Sequence, residues 1–162
     1  MTLVTIPLAA QPSELVQFEM KDQFDTVHSH GDYAGRILIV IGSDRRGSEF
    51  HDDWEVALRD SLNAGGSVAN VAFLSVAEVR GVPFFLKGSV KGKFSRDPDE
   101  WILVDWKGFF AETYGFEPDA TNMLLFAANG TLVSHTRGRE LDWSKVSAIV
   151  ATVRRLAEDA PS

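Results

Sequence analysis

Cysteine is missing altogether from this sequence of 162 residues. Its absence rules out disulfides, thiolate nucleophiles and thiol-ligated zinc under any fold, because each needs a Cys sulfur. It does not choose a compartment. No apolar run approaches the length of a membrane span, so a membrane is not expected as a partner. Positive charge is scarce as well: 16 Lys and Arg stand against 23 Asp and Glu, for a formal net charge of −7. That balance argues against bulk attraction to nucleic acid or anionic lipid, while leaving room for a local basic patch. The opening Met1-Thr2-Leu3-Val4-Thr5-Ile6-Pro7-Leu8-Ala9-Ala10 is apolar but short. It lacks a basic start and carries Pro7, which makes it a poor signal peptide. A cytoplasmic location is expected, or a periplasmic one for a chain whose leader has been removed.

What is present is the composition of a globular domain, 44% hydrophobic and 24% charged. A chain of this length builds one sizeable core. Residues 1–14 read as a loosely held arm and 15–158 as a single domain. Leu15 to Met20 has the composition of a short strand, and the polar Lys21-Asp22-Gln23-Phe24-Asp25 leads to a second short extended piece. Arg36 to Ile41 is a continuous apolar run, the pattern of a strand covered on both faces. Ser48 is placed to cap a helix in which Phe50, Trp54, Ala57, Leu58 and Leu62 recur at helical spacing, and Asn63-Ala64-Gly65-Gly66 ends it. Val68 to Val76 reads as another buried strand. Arg80 to Asp99 is less regular, with Pro83 suited to the first turn of a short helix carrying Phe84, Phe85, Leu86 and Val90. Trp101 to Asp105 is a strand, and Lys107 to Tyr114 a short helix stopped by Gly115. Asn122 to Phe126 and Thr131 to Thr136 form a hairpin across Asn129-Gly130. Asp142 caps a last helix with Trp143, Val146, Ile149, Val150, Val153 and Leu156 on one apolar face. The order β, β, β, α, β, α, β, α, β, β, α predicts an α/β domain, a central mixed sheet with helices on both faces.

The turn Gly42-Ser43-Asp44-Arg45-Arg46-Gly47-Ser48-Glu49 is the first place to look for chemistry, because a helix start offers free N–H groups and partial positive charge. Its glycines have phosphate-loop spacing, but Ser48 stands where that loop needs Lys, and the charge of Glu49 repels phosphate. Arg45 and Arg46 beside the N–H groups suit a carboxylate or phosphate. The plainer expectation is that Arg46 and Glu49 pair with each other on a solvated turn. A metal site from His28, His30 and His51 with Asp52 and Asp53 would need three ligands at fixed distances. Nothing in the spacing demands one, so surface histidines, no metal and no cofactor are expected. Ser43, Ser48, His51 and Asp52 crowd on one short turn without an independent orienting element, which argues against a Ser-His-Asp triad. His135 has no obvious acid partner. Phe84, Phe85 and Phe94 interleave with Lys87, Lys91 and Lys93, a pattern open to nucleic acid or an acidic partner. At a net charge of −7 the expected arrangement is instead phenylalanines in the core and lysines in water.

Several pieces carry a resemblance: Phe18-Glu19-Met20-Lys21-Asp22-Gln23-Phe24, Tyr33-Ala34-Gly35-Arg36, Leu124-Leu125-Phe126-Ala127-Ala128-Asn129-Gly130, and Gly138 ahead of the last helix. In this order they resemble the thioredoxin-like superfamily, in its TlpA and peroxiredoxin-like branch with an N-terminal hairpin. Pro83 through Lys87 and Phe94 to Leu103-Val104-Asp105 is similar to the YtfJ proteins, a group described as regulator-like. The resemblance implies a thioredoxin-like three-layer fold with an N-terminal β-hairpin extension. It also implies a dithiol at Arg46 and Glu49, a cis-proline near Thr121 and a buried acid at Val40, and all three are absent; Pro118 lies three residues too early. Thiol–disulfide exchange and thiol peroxidase chemistry are therefore excluded.

The sequence thus reads as a redox-inactive thioredoxin-like protein serving as a binding or regulatory module. Its expected surface is Ser43, Asp44, Arg45, Arg46, Ser48, Glu49 and His51, with Thr121 and the approach loop His28–Tyr33. A protein or a small anionic ligand is the expected partner, and nucleic acid is not. One alternative is an enzyme that uses Arg46, Glu49 and His51 in acid–base or electrostatic roles. Another is a self-associating structural protein, such as a homodimer, with an apolar patch across Trp101, Trp106 or the outer edge strand.

Overall fold

Ile37, Leu38, Ile39, Val40 and Ile41 are each 3% exposed or less in the computed structural model, which describes residues 11–160. They form most of β3 (Ile37–Ser43). Side chains alternate across a strand, and here both faces are covered. Leu38 and Val40 join Leu74, Val76, Phe110 and Tyr114, whereas Ile37, Ile39 and Ile41 join Trp54, Leu58, Val146 and Val153. A strand buried on both sides has no use for polar alternation, which explains the unbroken apolar run.

β3 is the middle strand of a five-stranded mixed sheet of order β5-β4-β3-β6-β7. It pairs in parallel with β4 (Val71–Glu78), which pairs in parallel with β5 (Leu103–Asp105). On its other side β6 (Thr121–Phe126) runs antiparallel to β3, and β7 (Leu132–Gly138) antiparallel to β6. The α1 helix (Ser48–Ala64) and the α4 helix (Trp143–Asp159) cover one face of the sheet. The other is covered by α3 (Phe109–Tyr114) and by the region of a separate hairpin, β1 (Glu19–Lys21) with β2 (Val27–Ser29). Among the described residues no helix is long and apolar enough to cross a membrane.

The element order is the one expected, and the differences have local causes. The first strand is shorter than Leu15–Met20 because Leu15 and Val16 bond elsewhere, to the Gly130 carbonyl at 2.8 Å and the Tyr114 hydroxyl at 2.9 Å. β4 starts three residues later than Val68, after Asn70 turns the chain with φ 61°. Of the arm expected over 1–14, residues 1–10 lie outside the described residues. The remainder is tied down: Glu14 bridges Thr131, and the Ser13 carbonyl accepts from Leu132. Asp142 caps α4 as expected, accepting from the N–H groups of Ser144 and Lys145, but Trp143 is 60% exposed and leaves the apolar face to Val146, Ile149 and Val153. Ser48 does not cap α1; Gly47 holds the cap position, and the Ser48 hydroxyl donates back to the Arg45 carbonyl at 2.7 Å.

Asp22 and Gln23 work as a clamp. Asp22 Oδ1 accepts from Phe24 and Thr26, closing the hairpin turn. The Gln23 amide accepts from Ile102 N at 2.8 Å and donates to the carbonyls of Ser95 and Glu100, fastening residues 95–102 to the hairpin. Between β4 and this fastening the chain makes a single 3-10 turn (Phe84–Leu86) and the short α2 helix (Lys87–Lys91). Phe84 and Phe85, expected in the core, are 86% and 82% exposed. The inward stripe is Leu86, Val90 and Phe94 at four-residue spacing, which leaves the two earlier rings off it.

Candidate functional site

The turn between β3 and α1 fills its own anion site. Asp44 Oδ1 accepts from the N–H groups of Arg46 and Gly47 at 3.1 and 2.8 Å, and the Asp44 carbonyl accepts from Ser48 N at 2.9 Å. Glu49 N bonds the Arg46 carbonyl at 3.3 Å. The N–H groups ahead of the helix are thus held by a carboxylate of the same turn, and the first ones of α1 by backbone carbonyls, so none is left for a phosphate. Asp44 Oδ2 also accepts from Asp119 N at 2.9 Å, tying the turn to the loop ahead of β6.

Arg46 does not pair with Glu49. Its guanidinium reaches Asp119 at 3.3 Å, with the two side chains 79% and 41% exposed, so the contact contributes little. Arg45, Arg46, Ser48 and Glu49 are exposed, while Ser43, His51 and Thr121 are buried. Thr121 is no part of a surface; its hydroxyl donates to the Gly47 carbonyl at 3.2 Å. Gly47 packs so closely that a Cβ there would lie 2.2 Å from the Ala120 carbonyl oxygen. The turn is sealed against β6.

His51 faces inward on α1. Its Nδ1 lies 2.9 Å from Ser43 Oγ, a buried contact. With the serine hydroxyl donating, Nε2 carries the proton and faces Glu55 Oε2 at 3.5 Å. That spacing is long for a hydrogen bond, and Nε2 is buried without a hydrogen-bond partner. Glu55 accepts from Ser75 Oγ at 2.6 Å and from Arg59. Burial alone would raise its carboxyl, but the contacts from His51, Ser75 and Arg59 outweigh burial and hold it at about 2. Spacing alone puts His51 and Glu55, at i, i+4, on one helix face, while Ser75 comes from β4 and carries no local signal.

The three histidines stay apart. His28 lies in β2, bonded to Asp22 at 2.8 Å and stacked on Trp101 with ring centroids 3.9 Å apart. His30 Nδ1 approaches the Phe18 carbonyl at 3.3 Å. None is the surface loop histidine expected. Among the described residues no group of three His, Asp or Glu side chains is placed to hold a metal. His135 Nε2 meets Asn122 Oδ1 at 3.0 Å, while its Nδ1 is buried without a partner. Burial, with the charge of Arg137 added, lowers its pKa from 6.5 to about 4.

These two shifts predict separable acid limbs. The folded pKa of His135 lies below its unfolded value, so the unfolded chain takes up the proton first. Its share of stability is complete above pH 6.5 and drains away as pH falls towards 4. Glu55 contributes fully above pH 4.5 and loses its share as pH falls towards 2. In a series of melting temperatures against pH, His135→Gln should flatten the upper limb and Glu55→Gln the lower. A His135→Gln curve parallel to wild type would reject the assignment.

Beside the sealed turn lies an open groove of about 900 Å³. Ser43 to Arg46 and Asp52 form one wall, and Val82, Leu86, Val90 and Phe94 the other. His51 also lines a second cavity of about 690 Å³, with Glu55, Ser75, Phe94 and Trp101.

Neither a family model nor a curated protein sequence matches the chain, so no family model speaks for the narrower YtfJ likeness. Solved structures do match. The exposed lipoprotein thioredoxin Etrx1 of Streptococcus pneumoniae superposes with a TM-score of 0.63 at 19% identity, covering 86% of this chain and 99% of that one. A SCO1/SenC family lipoprotein of Bacillus anthracis gives 0.58 at 14% identity, over 93% and 99%. A secreted disulfide oxidoreductase of Mycobacterium tuberculosis gives 0.56 at 15% identity, over 84% and 96%. Identities this low establish the architecture and nothing finer.

Proposed function

We propose that this chain, thioredoxin-like in fold and without a thiol, is a redox-inactive binding module that takes a segment of a partner protein in the groove beside its sealed turn. The carrying observation is the groove: about 900 Å³ stays open next to positions closed by Asp44, Gly47 and Thr121. Val79, Val82, Leu86, Val90 and Phe94 give it apolar lining. Arg45 and Lys93, also in the lining, have no carboxylate within ion-pair distance among the described residues. An extended segment that mixes apolar and acidic residues suits both features. A small anion suits the site less, since Asp44 already sits on the helix start.

The enzyme reading has one observation in its favour, the Ser43–His51–Glu55 chain. Against it, the serine is 3% exposed, and the N–H groups of residues 46 to 49 are already bonded and leave no donor pair for an oxyanion. Arg46, Glu49 and His51 do not converge on one point.

Amide chemical shifts followed during titration with peptides of alternating apolar and acidic residues test the binding reading. Expected shifts cluster at 43–46 and 79–94, and Val90→Glu abolishes them. Shifts scattered over the surface, or a response that survives Val90→Glu, would refute it.

A further inference from the structure

Phe84 and Phe85 are 86% and 82% exposed, and Leu86 beside them 43%. A buried phenylalanine typically removes about 150–250 Å² from water, and this chain buries Phe18, Phe110 and Phe126 almost completely. The backbone holds the two rings out. Pro83 enters the turn extended, with φ −58° and ψ 146°, and Leu86 N closes it on the Pro83 carbonyl at 2.9 Å. Leu86, Val90 and Phe94 then line the groove, and neither exposed ring lines either cavity. Phe84 and Phe85 form a crest on the wall rather than part of a pocket.

The charge carried by the segment itself is of one sign. From Arg80 to Arg96 there are five cations and no carboxylate, in a chain of net charge −7. Arg80 is held by Glu78 and Glu112, and Lys91 by Asp25 at 2.8 Å. Lys87, Lys93 and Arg96 have no carboxylate within ion-pair distance among the described residues. Lys87 Nζ sits 4.8 Å from the Trp106 ring centroid and 6.0 Å from that of Phe84, on the crest itself. In the acidic run that follows, Asp99 and Glu100 line the second cavity.

We propose that this crest docks the protein reversibly on an anionic bilayer surface, with Phe84 and Phe85 entering the interface and Lys87 and Arg96, which line neither cavity, meeting lipid phosphates. Projecting rings beside uncompensated cations have the chemistry of interfacial seating. A bilayer accepts such a crest without a matching cavity, which a protein partner would have to supply. A polyanionic nucleic acid would run on from the crest over a body that repels it. The docking does not rest on the groove reading and leaves the groove free.

Flotation with vesicles tests it, using phosphatidylcholine alone and phosphatidylcholine mixed with phosphatidylglycerol. Wild type should float with the mixed vesicles and not with the neutral ones, and added salt should weaken the binding. Phe84→Ala with Phe85→Ala should reduce partitioning about tenfold or more while leaving the melting temperature unchanged, since both rings are already in water. Lys87→Glu with Arg96→Glu should remove the preference for anionic lipid. Wild type that ignores the mixed vesicles, or a double alanine variant that binds them equally, overturns the proposal. So does concentration-dependent light scattering without vesicle binding, abolished by the double alanine variant, which makes the crest an interface between copies of the chain. Peptide shifts in the groove that persist in the double alanine variant keep the two readings separate.

Discussion

Trp54→Ala should lower the free energy of unfolding by about 3–5 kcal/mol, the range for deleting a large aromatic from a well-packed core. The ring is fully buried between α1, β6 and α4, within the cluster that holds Ile39, Met123 and Val146. It is also tied at its polar end, where Nε1 donates to the Arg139 carbonyl at 2.7 Å. Gly138 makes the fit possible, since a Cβ there would lie 2.3 Å from the indole. Arg139 in turn donates to the Asp119 carbonyl at 3.0 Å, so removing the ring loosens the loop that meets Asp44 and Arg46. Urea unfolding gives the measurement, with amide exchange at 117–120 reporting the loop. A loss under about 1 kcal/mol would mean that the site collapses and refills, and the route from Trp54 to the turn would then be wrong.

Asp44→Ala should cost about 2–3 kcal/mol, as the loss of a charged acceptor that serves Arg46 N, Gly47 N and Asp119 N together. The same change frees two turn donors just ahead of α1, beside Arg45 and Arg46. Inorganic phosphate should therefore raise the melting temperature of Asp44→Ala and leave wild type unmoved. Asp44→Asn keeps an acceptor oxygen and should fall between them in stability without gaining the phosphate response. Equal phosphate effects on wild type and Asp44→Ala would show that the carboxylate is not what closes the site.

The architecture was legible because its signals are backbone-scale. An unbroken apolar run over 37–41 permits little besides a doubly covered strand, Asn129-Gly130 marks a hairpin, and Asp142 marks a helix start. The site was legible in place but not in wiring. Arg46 and Glu49 are neighbours in sequence, yet Arg46 turns to Asp119, which no local pattern could supply. Asp44, two and three residues ahead of the N–H groups it binds, is by contrast a local signal. The burial of His51 is not legible locally, because its partners come from β3, from one turn further along α1 and, through Glu55, from β4. Composition alone places the rings of Phe84 and Phe85 inside; the four-residue stripe of Leu86, Val90 and Phe94 decides their direction.

The close seating of Gly47 on Ala120, with Asp44 on the N–H groups of residues 46 and 47, bears on whether a reactive dithiol could be built into this turn. A helix start lowers a thiol's pKa by presenting unpaired N–H groups and positive potential to the thiolate. Arg46→Cys and Glu49→Cys would place sulfur in a turn whose donors at 46 and 47 already carry an anion. A thiol at 46 would share its turn with the Asp44 carboxylate, which holds two of the donors that would lower its pKa. Two cysteines alone would therefore make a poorly activated pair. Removing Asp44 to activate them would take away the acceptor that ties this turn to the loop at Asp119, so reactivity here trades against the stability of the turn.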